Sequence, residues 1–185
     1  IDYNLLKALS AAVECVHSYS LIHDDLPCMD DDDIRRGKLS THKKFGESTA
    51  ILSGNSLLTL ALEILSDKRL KLKSKIKTEL IYSLSICSGH SGMAGGQYLD
   101  LNFEHKKVNK LQLMDMQTKK TGKLFGFCCS SSAIIKEKQL SIKRDLNRIG
   151  LQIGLLFQIS DDLIDVRGNS KKVGKPTKKD IKKGK

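Results

Sequence analysis

Ser20-Leu21-Ile22-His23-Asp24-Asp25-Leu26-Pro27-Cys28-Met29-Asp30 closes one apolar run and Gln158-Ile159-Ser160-Asp161-Asp162-Leu163-Ile164-Asp165 closes another. An aspartate pair with a further aspartate behind it thus occurs twice, 137 residues apart. At about 100° per residue, Gln158, Asp161, Asp162 and Asp165 fall on one helical face within two turns. Like charges stacked there repel, so the arrangement is costly unless a cation lies between them. In the first stretch Pro27 is expected to end or distort the helix, and Asp30 then comes round toward Asp24. His17 and Ser20 precede Asp24 by seven and four residues on the same stripe. That helix carries polar groups down one side, as a cavity-lining helix does.

Outward from these stretches, apolar residues recur at helical spacing through Leu5–Ile22, Ala50–Leu65, Ile76–Ile86, Leu111–Ser132 and Leu146–Val166. Breaks fall at Pro27–Gly46, Ser66–Lys75, Gly89–Gly96, Glu104–Lys110 and Lys136–Lys143, each short enough to join neighbouring helices. The expectation is an all-α helical bundle forming a single domain over residues 1–185, with no linker and no solenoid repeat. The chain opens on Ile1 with the helical pattern running by Leu5, which is read as an internal fragment of a longer protein.

The 185 residues are 39% hydrophobic, 29% charged and 5% aromatic, with two prolines, which excludes collagen-like, mucin-like and disulfide-scaffold classes. Uninterrupted apolar runs are far shorter than the ~18–20 residues of a membrane span, and no secretory leader is visible. A cytoplasmic protein without stable membrane insertion is expected. Cys15, Cys28, Cys87, Cys128 and Cys129 form no Cys-x-x-Cys pair, and the five histidines match no common zinc frame. The net charge is +11, and Lys171–Lys185 alone holds eight lysines and one aspartate. Aromatic interleaving and Arg-Gly-Gly runs are absent, which argues against a nucleic-acid partner. The other readings of the tail are a solvated basic end and, over residues 169–185, a loop that closes over a phosphorylated molecule.

Hard oxygen donors without thiol or imidazole suit Mg²⁺, which takes one or two carboxylates and leaves its other positions to water and phosphate. Asp30–Asp33 by itself reads as a solvated acidic loop, and an EF-hand is excluded by the missing Asp-x-Asp-x-Asp-Gly frame. The recurrence of the motif at two helix ends favours metal and phosphate. Arg35 and Arg36 follow the first cluster, and guanidinium forks match phosphate oxygens. Lys120-Thr121-Gly122 and Lys175 offer further counter-charges to a diphosphate.

At this level of detail the chain resembles the trans-isoprenyl diphosphate synthases of the polyprenyl synthetase family. The resemblance runs nearly from end to end. It is carried by Asp24–Asp30 with Arg35-Arg36-Gly37, by His42-Lys43-Lys44-Phe45-Gly46-Glu47, by Gly95-Gly96-Gln97-Tyr98-Leu99-Asp100, by Lys120-Thr121-Gly122 and by Gln158–Asp165. It implies the isoprenoid synthase helical bundle, with both acid motifs facing a central cavity, and a homodimer. By position, Asp24, Asp30 and Asp161 would ligate Mg²⁺, with Asp25, Asp162 and Asp165 as further motif members. Arg35, Lys120 and Lys175 would hold an allylic diphosphate, and His17 and Arg36 would contact isopentenyl diphosphate. Thr121 and Gln158 would lie beside the reacting carbons.

The implied reaction ionises an allylic diphosphate, dimethylallyl or geranyl, and joins it to isopentenyl diphosphate. Tyr19 and Ser20, five and four residues before Asp24, would form part of the floor that limits product length, and an aromatic Tyr19 points to fifteen carbons. Geranylgeranyl synthesis and a non-catalytic partner subunit are the alternatives; a terpene cyclase is disfavoured because Gln158–Asp165 keeps its aspartates. The family's early Gly-Gly-Lys-Arg segment and its closing helices have no counterpart in this chain, and Asn169 stands where many members have Asp. The fragment alone is therefore expected to bind metal and diphosphate yet turn over poorly.

Overall fold

The computed structural model describes residues 2–167. In helix α1 (Tyr3–Asp24), Leu5, Leu9, Ala12, Val16 and Tyr19 alternate spacings of four and three and form the buried stripe. The helix stops at Asp24, ahead of the Leu26-Pro27 step, because a residue preceding proline is pushed out of helical backbone. A two-stranded hairpin follows, β1 (Ile34–Arg35) with β2 (Lys38–Leu39), and then the short helix α2 (Thr41–Phe45). The register pairs Ile34 with Leu39 and Arg35 with Lys38, which leaves Arg36 and Gly37 as a two-residue turn. Their φ values of 51° and 76° are both positive, as a type I′ turn requires.

Helix α3 (Glu47–Ser66) lies along α1 and buries Ala50, Gly54, Ala61 and Leu65. The approach is close at Gly54, where a Cβ would fall 2.1 Å from Nε2 of His23. That imidazole also meets the Ile51 carbonyl at 3.1 Å. Helix α4 (Ser74–Ser88) buries Ile76, Leu80, Leu84 and Cys87. Helix α5 (Met93–Phe103) turns inward Met93, Gly96, Gln97 and Asp100, an unusually polar face. Helix α6 (Lys110–Gln117) starts from a capping box of Asn109 and Gln112 and runs through a π-helical turn, Thr118–Gly122, into α7 (Lys123–Ile135). Helix α8 (Leu140–Arg167) returns along α7.

The core joins α1, α3, α4 and α7 through Leu9, Val16, Leu65, Leu80, Leu84 and Phe127. Helix α8 meets the end of the π turn and the start of α7 on glycines one turn apart on each partner. A Cβ on Gly154 would come 2.6 Å from Cα of Gly122, and one on Gly150 would come 2.6 Å from Cα of Gly126. The backbones approach closely at this seam, with the Asn147, Leu151 and Phe125 side chains packed at its edges.

The all-α reading holds, and the structure amends four boundaries. The break at Pro27–Gly46 contains the hairpin, and α5 begins at Met93 inside the break placed at Gly89–Gly96. Helix α8 begins at Leu140, inside the break at Lys136–Lys143, and the single run Leu111–Ser132 is α6, the π turn and α7. By length and composition alone α1 and α3 are long and apolar enough to cross a membrane, with mean hydropathy 1.2 and 1.3 over 18 residues. Their uninterrupted runs are short because polar and charged residues intervene, Lys7 and Glu14 in α1 and Glu63 in α3 among them, while the apolar residues between them keep the window average high. The basic segment 169–185, Lys175 included, lies outside the described residues.

Candidate active site

The first acid motif folds back on itself after α1. The Asp30 amide donates to the Asp24 carbonyl at 2.8 Å, and the Asp31 and Asp32 amides donate to Leu26 and Asp25 carbonyls at 3.1 and 3.2 Å. Asp30 is thereby returned beside Asp24, as Pro27 led one to expect. Asp25 is buried, and Arg35 from the hairpin grips its carboxylate with Nε at 3.0 and 3.3 Å from the two oxygens and with a second nitrogen. Arg35 is the last residue of β1 before the type I′ turn, and its pairing with Lys38 across that turn holds its backbone. Arg35 also reaches Asp32, at 3.5 Å.

Lys120 lies in the π turn, a helical irregularity concentrated at functional sites. Gly96 of α5 abuts its backbone: a Cβ there would fall 2.1 Å from the Lys120 nitrogen. The Lys120 ammonium meets Oδ2 of Asp100 at 2.7 Å. Burial works against its charge, but Asp100, Asp24 and Asp30 outweigh that and leave the group more basic than usual. One residue on, Thr121 Oγ1 donates to Gln158 Oε1 at 3.0 Å, and Gln158 Nε2 donates to Asp162 Oδ1 at 2.8 Å. Gln117 Nε2 donates to the other oxygen of Asp162 at 3.0 Å. Burial raises the Asp162 pKa, the Gln158 hydrogen bond lowers it, and Asp161, Asp100 and Asp165 add to the rise.

Two sets of residues are therefore brought together. Asp24, Asp25, Asp30 and Arg35 form one, and Thr121, Gln158, Asp162 and their aspartate neighbours the other. Lys120 and Asp100 link them, because Lys120 acts on Asp24 and Asp30 while Asp100 acts on Asp162. The motif aspartates do not converge in threes. Among the described residues the trio with donor atoms within 4.8 Å of one another is Asp31, Asp33 and His42, where Lys43 already meets Asp33 at 2.9 Å.

Around the first set, Tyr19 is buried, with its hydroxyl donating to the Ser88 carbonyl at 3.4 Å and its ring edge-on to His23. Ser20 donates to the His17 carbonyl at 2.8 Å. Arg36 occupies the hairpin turn. Gln117 is the site residue that sequence reasoning did not single out, and Asp100 entered it only as the end of the Gly95–Asp100 motif, without a role. Asp100 had a signal, an acid at helical spacing from Gly96 and Gln97. Gln117 had none, since its partner lies 45 residues away.

The aspartates of the two motifs offer carboxylate oxygens, with the Gln117 and Gln158 amides beside Asp162, a donor set that fits Mg²⁺ rather than a soft metal; Cys28, within the first motif, is exposed. Burial pushes the Asp24 carboxyl up to about 6, Lys120 and Arg35 pull it down, and Asp30 and Asp25 add to the rise. A cation binding there at acid pH has to displace a proton. Mg²⁺ affinity is expected to rise with pH up to about 6 and to level off above. Calorimetry in two buffers of different ionisation enthalpy checks this: proton release at pH 5.5 that vanishes by pH 8 is the expected result.

The sequence pattern of the polyprenyl synthetase family matches residues 2–185. The chain belongs to the polyprenyl synthetase family. Among its relatives, farnesyl diphosphate synthase of Micrococcus luteus is 45% identical over 92% of this chain and 58% of that protein. The Escherichia coli enzyme of the same name is 43% identical over 100% of this chain and 62% of that one. Of solved polyprenyl synthetases, an apo FPP/GFPP synthase from Zymomonas mobilis superposes with a TM-score of 0.87 at 45% identity, over 91% of this chain and 61% of that chain. A Helicobacter pylori geranyltransferase complexed with magnesium and isoprenyl diphosphate gives 0.86 at 40% identity, over 92% and 56%. The chain thus spans roughly three fifths of the length of the relatives it matches, 58% and 62% for the two synthases.

Proposed function

We propose that the protein carrying this chain is a Mg²⁺-dependent prenyltransferase that condenses isopentenyl diphosphate with dimethylallyl or geranyl diphosphate to give farnesyl diphosphate. The observation that carries the reading is the linkage of two aspartate motifs through Lys120 and Asp100, with the Thr121–Gln158 pair one residue from Lys120. Farnesyl diphosphate synthases above 40% identity support it. A homodimer and a cytoplasmic location belong to the same proposal, and sedimentation of the full-length protein tests the first.

Asp24, Asp30 and Asp161 would hold Mg²⁺, which when bound screens the charge that grows on a departing diphosphate. Lys120 is held by Asp100, and Arg35 by Asp25 with Asp32 at its edge, and both stand ready to share those contacts with phosphate oxygens. The allylic C–O bond breaks with its electron pair leaving on the diphosphate. The isopentenyl double bond then supplies the pair for the new C–C bond, and a proton is lost to the released diphosphate. Thr121 Oγ1 and Gln158 Oε1 place partial negative charge beside the carbon that becomes cationic. Their hydrogen bond fixes those dipoles before the reaction begins.

The test is incubation of the full-length protein with Mg²⁺, isopentenyl diphosphate and either allylic starter, followed by sizing of the hydrolysed products. Fifteen carbons is the expected length, twenty moves the assignment to geranylgeranyl synthesis, and no elongation by folded protein overturns it. Tyr19→Ala is expected to move most of the product to twenty carbons or more, at a stability cost of about 3 kcal/mol for the lost aromatic packing. An unchanged product profile removes Tyr19 from the floor.

A further inference from the structure

We infer that Gln117 is a positioning residue for the second aspartate motif, acting with Gln158 to hold both oxygens of Asp162 and so to fix the direction of the Gln158 amide. The inference rests on the prenyl-transfer reading of the same site. Gln117 ends α6 immediately before the π turn, and its side chain is buried, at 5% residue exposure. Its Nε2 lies 3.0 Å from Asp162 Oδ2, while Gln158 Nε2 lies 2.8 Å from Asp162 Oδ1.

An amide side chain has two ends of similar shape and opposite polarity. A carboxylate can only accept, so each Gln must turn its NH₂ toward Asp162. For Gln158 this leaves Oε1 facing Thr121, whose hydroxyl donates to it at 3.0 Å. Were Asp162 to rotate away, nothing in this chain of bonds would distinguish the two ends of the Gln158 amide. Gln117 prevents that rotation from a separate element, 45 residues away in sequence. It sets the polarity of a group beside the reacting carbons without touching them. The motif is thereby divided: Asp162 braces the amides, and the metal-facing role falls to Asp161.

Three variants of the full-length protein test this, with steady-state kinetics and calorimetric titration of Mg²⁺ in the presence of inorganic diphosphate. Gln117→Leu keeps the volume and removes the donor. It is expected to lower kcat about 30-fold, within the range for losing a hydrogen bond to a charged group. KM for both substrates should stay within about threefold, and Mg²⁺ binding with diphosphate should weaken about tenfold. Gln117→His retains an N–H and is expected to recover kcat to within about threefold of wild type. Gln117→Glu has the same shape and places a second carboxylate against Asp162, with an expected loss of about 100-fold or more, and it serves should the leucine variant not fold.

Wild-type kcat and Mg²⁺ binding in Gln117→Leu overturn the inference, as does a histidine variant no better than the leucine one. Should the wild type transfer no prenyl group while Gln117→Leu still weakens metal and diphosphate binding, the bracing role stands and the prenyl-transfer reading falls. An active wild type with an indifferent leucine variant sinks the inference alone.

Discussion

Asp24→Asn is expected to give a protein that is more stable than wild type without metal and at least 10³-fold slower with it. The two effects have one origin. The Asp24 carboxyl titrates at about 6 in the folded chain against 3.8 for the free group, chiefly because burial disfavours its charge. A raised native pKa means that its contribution to stability is fully present below about pH 3.8 and is lost as pH rises through about 6. At pH 8 the metal-free protein therefore carries a strained carboxylate, worth roughly 2 kcal/mol after allowance for partial exposure. The neutral amide relieves it. Urea denaturation with chelator should find the variant equal to wild type near pH 4 and more stable by that amount above about pH 7. Destabilisation at pH 8 would mean that Asp24 is satisfied by the protein alone, and the argument that its site is shaped for a cation would fail.

Gly96→Ala is the second substitution with a large expected effect. The added Cβ would fall 2.1 Å from the nitrogen and 2.5 Å from the Cα of Lys120, and 2.8 Å from the carbonyl carbon of Lys119. All three atoms are backbone, so no side chain can swing aside, and either α5 or the π turn must retreat by about 1 Å to restore van der Waals contact. Overpacking of this kind costs about 3 kcal/mol or more. A shift of that size also moves Lys120 relative to Asp100 and the first motif, which predicts a kcat loss of about 100-fold in whatever fraction remains folded. Thermal denaturation and activity measured per folded molecule separate the two. A variant of wild-type stability would show that α5 is free to slide along the π turn.

What could be read from the amino acids alone divides by distance along the chain. The return of Asp30 toward Asp24 was legible because a proline three residues after Asp24 constrains it locally. The shared face of Gln158, Asp161, Asp162 and Asp165 was legible because a helix is periodic. The roles of Thr121 and Gln158 came from resemblance, and their hydrogen bond spans 37 residues. Gln117 stayed hidden, and Asp100 was visible only as a motif member without a role, because their significance lies in which helix they meet. The hairpin was missed for a different reason: Ile34–Leu39 is too short for an alternating pattern, and the Arg36-Gly37 turn puts an arginine where asparagine or aspartate is the usual signal.

The π turn also bears on how a longer helix keeps time. From Lys110 to Ile135 the chain reads as one continuous coil, yet the segment before Thr118 and the segment after Gly122 do not share a common phase. A wide turn delays the winding, so the buried end of α6, Met116 and Gln117, is offset in angle from the buried stripe of α7. Each half faces its own neighbours: α5 and, through Gln117, α8 for the first, α4 and α8 for the second. The slip is absorbed over five residues, and Lys120 and Thr121 are two of them. The two residues proposed to meet the substrate thus lie where neither half dictates the angle, and their placement and the phase correction are held in a single turn.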